Sequence, residues 1–222
     1  MGNTDLKEHK TGVKDKDYKE TKKWDEIINS ISALPENDSI YTAGIPLEPF
    51  KENVQSSDFD PFKTPEQTGN KQISEEEFLL KSRSDHPEVL GACGMIPVNE
   101  SAPLYSTDKM RKTLHWVMNN WNWSKTWGWD YGMVAMTAAR LGETATAIDA
   151  LLIKHEKNRY LVSGHNYQTA DRLRIYLPGN GSLLSAIAMM CAGWDGCKEV
   201  NNPGFPKDGK WNVRWENLKR MQ

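Results

Sequence analysis

The sequence predicts an all-α fold built from antiparallel helical hairpins. Two observations support this prediction. Apolar residues recur at helical spacing along most of the chain after residue 19, and no stretch shows the sustained alternation of apolar and polar residues that is typical of strands. Short connections also alternate with long ones along the chain, as they do when consecutive helices pair in antiparallel fashion.

The first third of the chain is polar and punctuated by proline. Residues 1–18 alternate Lys with Asp or Glu, which indicates a solvated tail, and residues 19–222 are expected to form the domain. Within this domain the pattern predicts an amphipathic helix over residues 19–33 and a long polar loop over about residues 45–73. A short helix is predicted over residues 74–81, because Ser and Glu stand at capping-box spacing at its start.

The next helices are predicted from their start signals and apolar stripes. Pro87 is expected to begin a helix over residues 88–95, with His86 as a helix-entry residue rather than a catalyst, and Thr107 is expected to cap the following helix. That following helix carries an apolar stripe on one face, formed by Met110, Leu114, Val117, Met118 and Trp121.

Three further helices complete the predicted fold. One opens at residue 127 and is ended by Gly142, and another covers residues 143–153. Residues 182–192 are apolar on every side, which is typical of a central core helix. The stretches 165–168 and 177–181 are predicted to be connections that carry functional residues.

The composition argues against several function classes. A net charge of −2 creates no strong field that would attract nucleic acid or an anionic membrane. The longest apolar stretch, residues 183–193, is too short to span a bilayer, and the first 23 residues lack the apolar stretch of a secretion signal, so the cellular location is left open. The three cysteines include no Cys-x-x-Cys pair and have no His at ligand spacing, so no metal and no cofactor is expected.

Tryptophan is concentrated in one short window. The five of the nine Trp that fall there are Trp116, Trp121, Trp123, Trp127 and Trp129. The window ends in Trp127-Gly128-Trp129-Asp130, where aromatic faces can stack on the C–H face of a pyranose while a carboxylate binds its hydroxyls. An aromatic-rich helix packed in the core is the alternative, and Asp130 is expected either to cap its helix or to contact sugar or water.

Two polar groups later in the chain are further candidate sugar contacts. His165, Asn166, Tyr167 and Gln168 combine an imidazole, two amides and a phenol that can hydrogen-bond hydroxyls, and a buried role in fixing the loop is the alternative. Asn180 stands between two glycines, which can turn the chain tightly and direct N–H groups of the following helix toward an oxygen-rich ligand.

Four stretches of sequence together resemble a known family. They are SDHPEVLGACGMIP, WNWSKTWGWDYGMVAMTAARLGETATAIDALL, GHNYQ with IYLPGNGSLLSAIAMMCAGWDG, and GFPKDGKWNVRWENL. With them the chain resembles the C-terminal part of a six-hairpin glycosidase, closest to the maltose and trehalose phosphorylase family and its uncharacterised bacterial and fungal relatives. The resemblance implies that the helices form part of an (α/α)6 toroid. It also implies a saccharide ligand bound by Trp127, Trp129, Asp130, His165, Asn166, Tyr167, Gln168 and Asn180.

The chain departs from that family at positions that serve catalysis. The family's general acid is a Glu in a Gly-Pro-Asp-Glu-Tyr motif, which this sequence lacks. Of the Lys-Gln-Ala-Asp segment that helps to hold sugar and phosphate, only Asp85 is kept, and Pro178-Gly179-Asn180 stands where fucosidase-type relatives have Asp-Gly-Asn. The resemblance therefore implies part of a catalytic domain, incomplete as an isolated enzyme, with Asp130 as a weak candidate for a catalytic carboxylate.

Two other functions remain as alternatives: a non-catalytic saccharide-binding module and a helical interaction protein. Besides a saccharide, the expected partner is the missing half of the domain or a second copy, because half of a toroid leaves apolar surface uncovered. A shared saccharide cleft requires distant side chains to converge. The side chains expected on one concave surface are Trp127, Trp129, Asp130, His165, Tyr167 and Asn180.

Overall fold

A computed structural model describes residues 33–37, 39–42, 82–97, 104–169 and 172–221, together with single positions and two short strands earlier in the chain. The chain divides into two units, Met1–Ala33 and Leu34–Gln222. The described residues of the first unit that have helical conformation are Lys22, Lys23, Glu26 and Ser30. All the elements that follow belong to the second unit.

Most of the predictions for the first third of the chain fall outside the described residues. This holds for the tail over residues 1–18 and for most of the predicted helix over residues 19–33. Within the predicted long loop, strand β1 (Lys51–Glu52) pairs antiparallel with strand β2 (Lys71–Gln72). Of the helix predicted over residues 74–81, the structure describes Leu79, which is helical.

The second unit is mainly helical in its described part, as the sequence predicts. Single 3-10 turns lie at Glu88–Leu90, Trp123–Lys125 and Glu156–Asn158. Two short strands, β3 (Arg159–Tyr160) and β4 (Asn166–Tyr167), pair antiparallel. The α-helices are α1 (Gly91–Gly94), α2 (Thr107–Asn120), α3 (Asp130–Arg140), α4 (Thr144–Leu151) and α5 (Leu177–Ala192).

Helix α2 forms where the sequence predicts it, but its cap is Ser106 rather than Thr107. The Ser106 hydroxyl accepts a hydrogen bond from the backbone N–H of Lys109, at 3.5 Å, and so satisfies one of the unpaired donors in the first turn. The predicted apolar stripe faces the core, where its buried members are Met110, Leu114, Val117 and Trp121.

Helix α3 lies at the centre of the unit. Every residue of this helix except the last, Arg140, is buried, and it packs against α1, α4 and α5. Helices α1 and α3 approach each other closely at Gly94, because glycine has no side chain there that would overlap Thr137. The hydroxyl of Thr137 donates to the backbone carbonyl of Leu90, at 2.8 Å, and ties the two segments together. Gly142, with a φ of 79°, ends the helix as predicted.

Helix α5 corrects two sequence-based expectations. Residues 182–192 do not form the central core helix, because Leu184 is 66% exposed and Ile187 is 37% exposed. An apolar composition on every side does not distinguish burial within this unit from burial against something else. Residues 177–181, expected to be a connection, form the first turn of the helix, where Pro178 is tolerated because its missing N–H has no helical acceptor.

No helix among the described residues is both long and apolar enough to cross a membrane.

Candidate active or binding site

A buried carboxylate lies at the amino-terminal end of α3. Asp130 has no exposed surface, and each of its carboxylate oxygens has a partner. Oδ1 lies 2.9 Å from Nδ1 of His86, and Oδ2 accepts a hydrogen bond from the backbone N–H of Trp127, at 2.7 Å. Both oxygens are therefore bonded and covered, and the contact with His86 is the one that leads toward the surface.

Burial dominates the protonation equilibrium of this carboxyl group. Removal from water penalises the charged form and raises the pKa of Asp130 from 3.8 to about 6. The hydrogen bonds from Trp127 and His86 act in the opposite direction, while the nearby charge of Asp85 raises the pKa further. Asp130 is therefore a carboxyl group that exchanges its proton near neutral pH, as acid–base residues of functional sites often do.

His86 links this buried carboxylate to the surface. The imidazole ring lies between two indoles, with its centroid 4.7 Å from that of Trp129 and 6.1 Å from that of Trp127. Its side chain is 20% exposed, and its Nε2 lies 3.4 Å from Oδ1 of Asp85, whose side chain is 69% exposed. The imidazole thus connects one carboxylate that has no contact with solvent to another that is open to it.

Asp85 is held in an unusual backbone conformation. Its φ of 68° lies in the left-handed region, which Asp and Asn tolerate better than most residues. Two indole N–H groups fix it there: Trp121 donates to its backbone carbonyl, at 3.1 Å, and Trp127 donates to its Oδ1, at 3.0 Å. A residue kept in this conformation at the edge of an aromatic cluster is a candidate functional residue.

The aromatic side chains form a frame around His86. Trp127 is 36% exposed, and its ring lies 5.6 Å from that of Tyr176, which precedes α5. Trp129 lines two open grooves, one of about 510 Å³ beside α1 and one of about 390 Å³ beside the first turns of α5. Both grooves also share Met95. Both grooves therefore border Trp129, whose ring contacts the imidazole of His86.

Gln168 supports the turn that carries the two indoles. This side chain is buried, its Oε1 accepts from the backbone N–H of Gly128 at 2.8 Å, and its Nε2 donates to the carbonyl of Thr126 at 3.2 Å. Both polar atoms of the amide are used by the backbone of the turn. Gln168 therefore has the loop-fixing role that was the alternative to sugar binding.

Asn166 fills the space between the turn and α5. Its amide donates to the carbonyls of Lys157 and Arg159, at 3.2 Å each. Its Oδ1 lies so close to Gly128 and Gly179 that a side chain at either position would overlap it. The two glycines are therefore required for close packing, and Asn166 also has a structural role.

Asn180 and the remaining candidates have partners outside the cluster around His86. The Asn180 Oδ1 accepts from the N–H of Asn166, and its Nδ2 donates to the carbonyl of Gly164, both at 2.8 Å. Successive strand residues face opposite sides, so within β4 the half-buried Tyr167 faces away from the buried Asn166. In the described part of the chain, the side chain of His165 hydrogen-bonds Ser163, and the ring of Tyr167 contacts Arg159.

The structure thus brings together part of the predicted set. Trp127, Trp129 and Asp130 lie around His86. Behind them, Asn166, Gln168 and Asn180 support the backbone. Of the two roles expected for Asp130, its full burial favours the structural one over direct contact with a sugar. His165 and Tyr167 make their contacts elsewhere, so the geometry does not support their place in a shared cleft.

Sequence reasoning did not place Tyr176 in the site, gave His86 only a helix-entry role, and named Asp85 only as a match to the family's sugar- and phosphate-holding segment. The adjacent pair Asp85-His86 before Pro87 was a usable signal, because a carboxylate and an imidazole side by side can share a proton. Tyr176 gave no local signal. Burial and the charge of Asp130 raise the pKa of its phenol, which keeps the phenol neutral beside the carboxylate.

No known protein family, curated protein or solved structure matches this chain. Among the described side chains, no group of three or more His, Cys, Asp or Glu is arranged to hold a metal ion.

Proposed function

We propose that this chain binds saccharides as part of a glycosidase-like domain. The observation that carries the proposal is the cluster of tilted rings that Trp127 and Trp129 form around His86, with the exposed carboxylate of Asp85 beside it. Indole faces provide the flat apolar surface on which a pyranose stacks, and a carboxylate beside them accepts hydrogen bonds from sugar hydroxyls.

The two grooves beside Trp129 offer space for a ligand longer than one sugar ring. Their volumes of about 510 and 390 Å³ are each in the range of small-molecule pockets, which suits a binding path longer than one sugar ring. The groove beside α5 includes two hydroxyls, those of Ser182 and Ser185, among apolar side chains. This mixture of aromatic, apolar and hydroxyl groups suits a neutral saccharide.

The same proposal includes the finer architecture. Helices α3 and α4 are joined by the three residues 141–143, a connection length typical of antiparallel neighbours, and we take such hairpins to be part of an (α/α)6 toroid. The exposed apolar residues of α5 and an open apolar groove of about 740 Å³ beside α4 support the idea that this side of the unit is a packing surface without its partner. The missing half of the domain or a second copy would cover that face.

A helical interaction protein is the competing function. Complete burial of the aromatic cluster would favour it, because a structural cluster needs no access to solvent. Trp127 is 36% exposed and the side chain of Asp85 is 69% exposed, so the cluster presents a polar and aromatic surface to solvent. This exposure favours ligand binding over a purely structural role.

The test is a calorimetric titration of the purified chain with maltose, trehalose and cellobiose. Replacement of Trp127→Ala or Trp129→Ala removes the stacking surface and should weaken binding by roughly tenfold or more. Trp215→Ala is the matched control, since Trp215 is 38% exposed and hydrogen-bonds Asn202 outside the cluster. Absence of binding to all three disaccharides, or equal losses in the control, would contradict the proposal.

A further inference from the structure

The space between His86 and Asp85 has an unmatched hydrogen-bonding pattern. When Asp130 is ionised it can only accept, so Nδ1 of His86 must carry the proton that joins them across 2.9 Å. In the neutral form of the imidazole, Nε2 then bears a lone pair, and it faces Oδ1 of Asp85 across 3.4 Å. That oxygen is also an acceptor and already receives the indole N–H of Trp127. In this form two acceptors face each other, and a donor from solvent or from a ligand can lie beside them.

We propose that these two acceptors form a hydroxyl subsite, in which a neutral saccharide donates an O–H group to Nε2 of His86 or to Oδ1 of Asp85, and that the ligand and a proton compete for it. This inference rests on the proposed function and identifies the acceptors that bind the sugar hydroxyl. Its occupant is neutral, because the carboxylates of Asp85 and Asp130 repel phosphorylated and acidic sugars.

The competition with a proton follows from the chemistry of the pair, wherever the added proton resides. If the proton is added to His86, Nε2 becomes N–H. If it is added to Asp130, the carboxyl group donates to Nδ1 and the imidazole must carry its proton on Nε2. In both cases Nε2–H can donate to Asp85, so the protein itself fills the position of the ligand hydroxyl. Ligand binding therefore releases a proton.

The surrounding groups allow this exchange near neutral pH. Burial raises the pKa of Asp130 to about 6, so this carboxyl group takes up a proton within an accessible pH range. The groups that face the pair from neighbouring segments are Asp85 and the phenols of Tyr131 and Tyr176. Burial raises the pKa of both phenols, which therefore stay neutral and do not take part.

Calorimetric titration of the full chain with maltose, trehalose and cellobiose tests the subsite. For each disaccharide that binds, affinity should rise by up to about tenfold per pH unit in acid and reach a plateau above the pKa of the pair. Below that pKa, the binding enthalpy should differ between buffers of different ionisation enthalpy, as the release of about one proton requires. Binding with no pH dependence and no proton release would overturn the subsite while leaving saccharide binding intact.

Asp85→Asn provides a sharp variant, because Asn tolerates the left-handed conformation of this residue. The substitution removes the charge and one acceptor oxygen of the carboxylate, so the affinity should fall about tenfold and its pH dependence should become weaker. Asp149→Asn, at an exposed position on α4, is the matched control and should bind as the wild type does. Retention of wild-type affinity and pH dependence in Asp85→Asn would contradict the subsite.

A measurement without ligand separates this inference from the proposed function. Nitrogen-15 NMR of the free chain should find His86 protonated at Nδ1, with Nε2 unprotonated, at a pH above the transition of the pair. Protonation at Nε2 under these conditions would overturn the subsite even if disaccharides bind. Failure of all three disaccharides to bind would instead overturn the proposed function, and the subsite with it.

Discussion

His86 and Asp130 are 44 residues apart in the sequence, yet Nδ1 of the imidazole lies 2.9 Å from Oδ1 of the carboxylate. This contact joins the segment before α1 to the first residue of α3. Asp130 is fully buried, whereas the side chain of His86 is 20% exposed. The pair therefore links a carboxylate in the interior to an imidazole at the edge of the aromatic cluster.

Asp130→Asn should change the pH dependence of stability. The pKa of Asp130 is raised from 3.8 in a solvated chain to about 6 in the folded protein, so the folded state binds this proton more tightly. Its stabilising contribution is complete below about pH 4 and is lost as the pH rises through 6. The free energy of unfolding of the wild type, relative to the variant, should fall by on the order of 3 kcal/mol across this range.

Urea unfolding at several pH values between about 4 and 7 measures this difference. Asp149→Asn, which replaces an exposed carboxylate on α4, is the control and should give a flat difference. A difference between wild type and Asp130→Asn that rises with pH would contradict the assigned direction of the pKa shift.

Gly179→Ala should destabilise the protein, whereas Gly181→Ala should not. A methyl group at Gly179 would overlap the amide of Asn166, and Asn166 cannot withdraw without breaking its bonds to two carbonyls. Overpacking of this kind costs about 1–3 kcal/mol. No atom lies within 4 Å of a methyl group at Gly181, two residues further along the same helix, so Ala should stabilise there by up to about 1 kcal/mol. Thermal unfolding of both variants makes the comparison, and equal shifts in Tm would refute it.

Gln168→Leu should weaken both the fold and the binding site. The substitution leaves the N–H of Gly128 and the carbonyl of Thr126 without their partner, at a cost of about 1–3 kcal/mol for each unpaired group. It also frees the turn that carries Trp127 and Trp129, so saccharide affinity should fall. His165→Ala, on the opposite side of β4, should change stability by less than about 0.5 kcal/mol. Denaturant unfolding measures the stability and disaccharide titration measures the affinity. A Gln168→Leu variant with the stability and affinity of the wild type would contradict the prediction.

Self-association should depend on the apolar groove beside α4. Leu152 lines this groove and is 65% exposed, so Leu152→Glu places a charge where a partner surface would pack. Sedimentation analysis should detect a shift toward monomer in this variant. Val162→Glu is the control, because Val162 is also exposed but lies outside the groove. The same assembly state in all three proteins would contradict a role of the groove.

The isolated chain should bind disaccharides without cleaving them. Both oxygens of Asp130 are occupied and covered, so it cannot protonate a glycosidic oxygen directly. A positioned general acid typically contributes ~10²–10⁴-fold to the rate, and the Gly-Pro-Asp-Glu-Tyr motif that carries one in the glycosidases considered above is absent from this sequence. Incubation with maltose and trehalose, with and without phosphate, should give no product above background. Turnover that disappears in Asp130→Ala would refute this prediction.

Local patterns account for the helices that the sequence predicted well. The stripe from Met110 to Trp121 and the stop at Gly142 depend on helical spacing and on backbone conformation, which a few neighbouring residues specify. The short strands β3 and β4 escaped prediction, because two-residue strands have no measurable period. Helix α5 was given too central a position, because its composition does not reveal which of its apolar faces is covered by the rest of this unit.

The candidate site was only partly predictable for the same physical reason. The sequence by itself determined the helices and an aromatic segment with a carboxylate at the start of α3. Tertiary structure decided that Asp130 is buried, that His86 connects it to Asp85, and that Gln168 holds the backbone of Gly128. Hydrogen bonds between residues about 40 positions apart depend on how helices pack, and packing is a property of the whole chain.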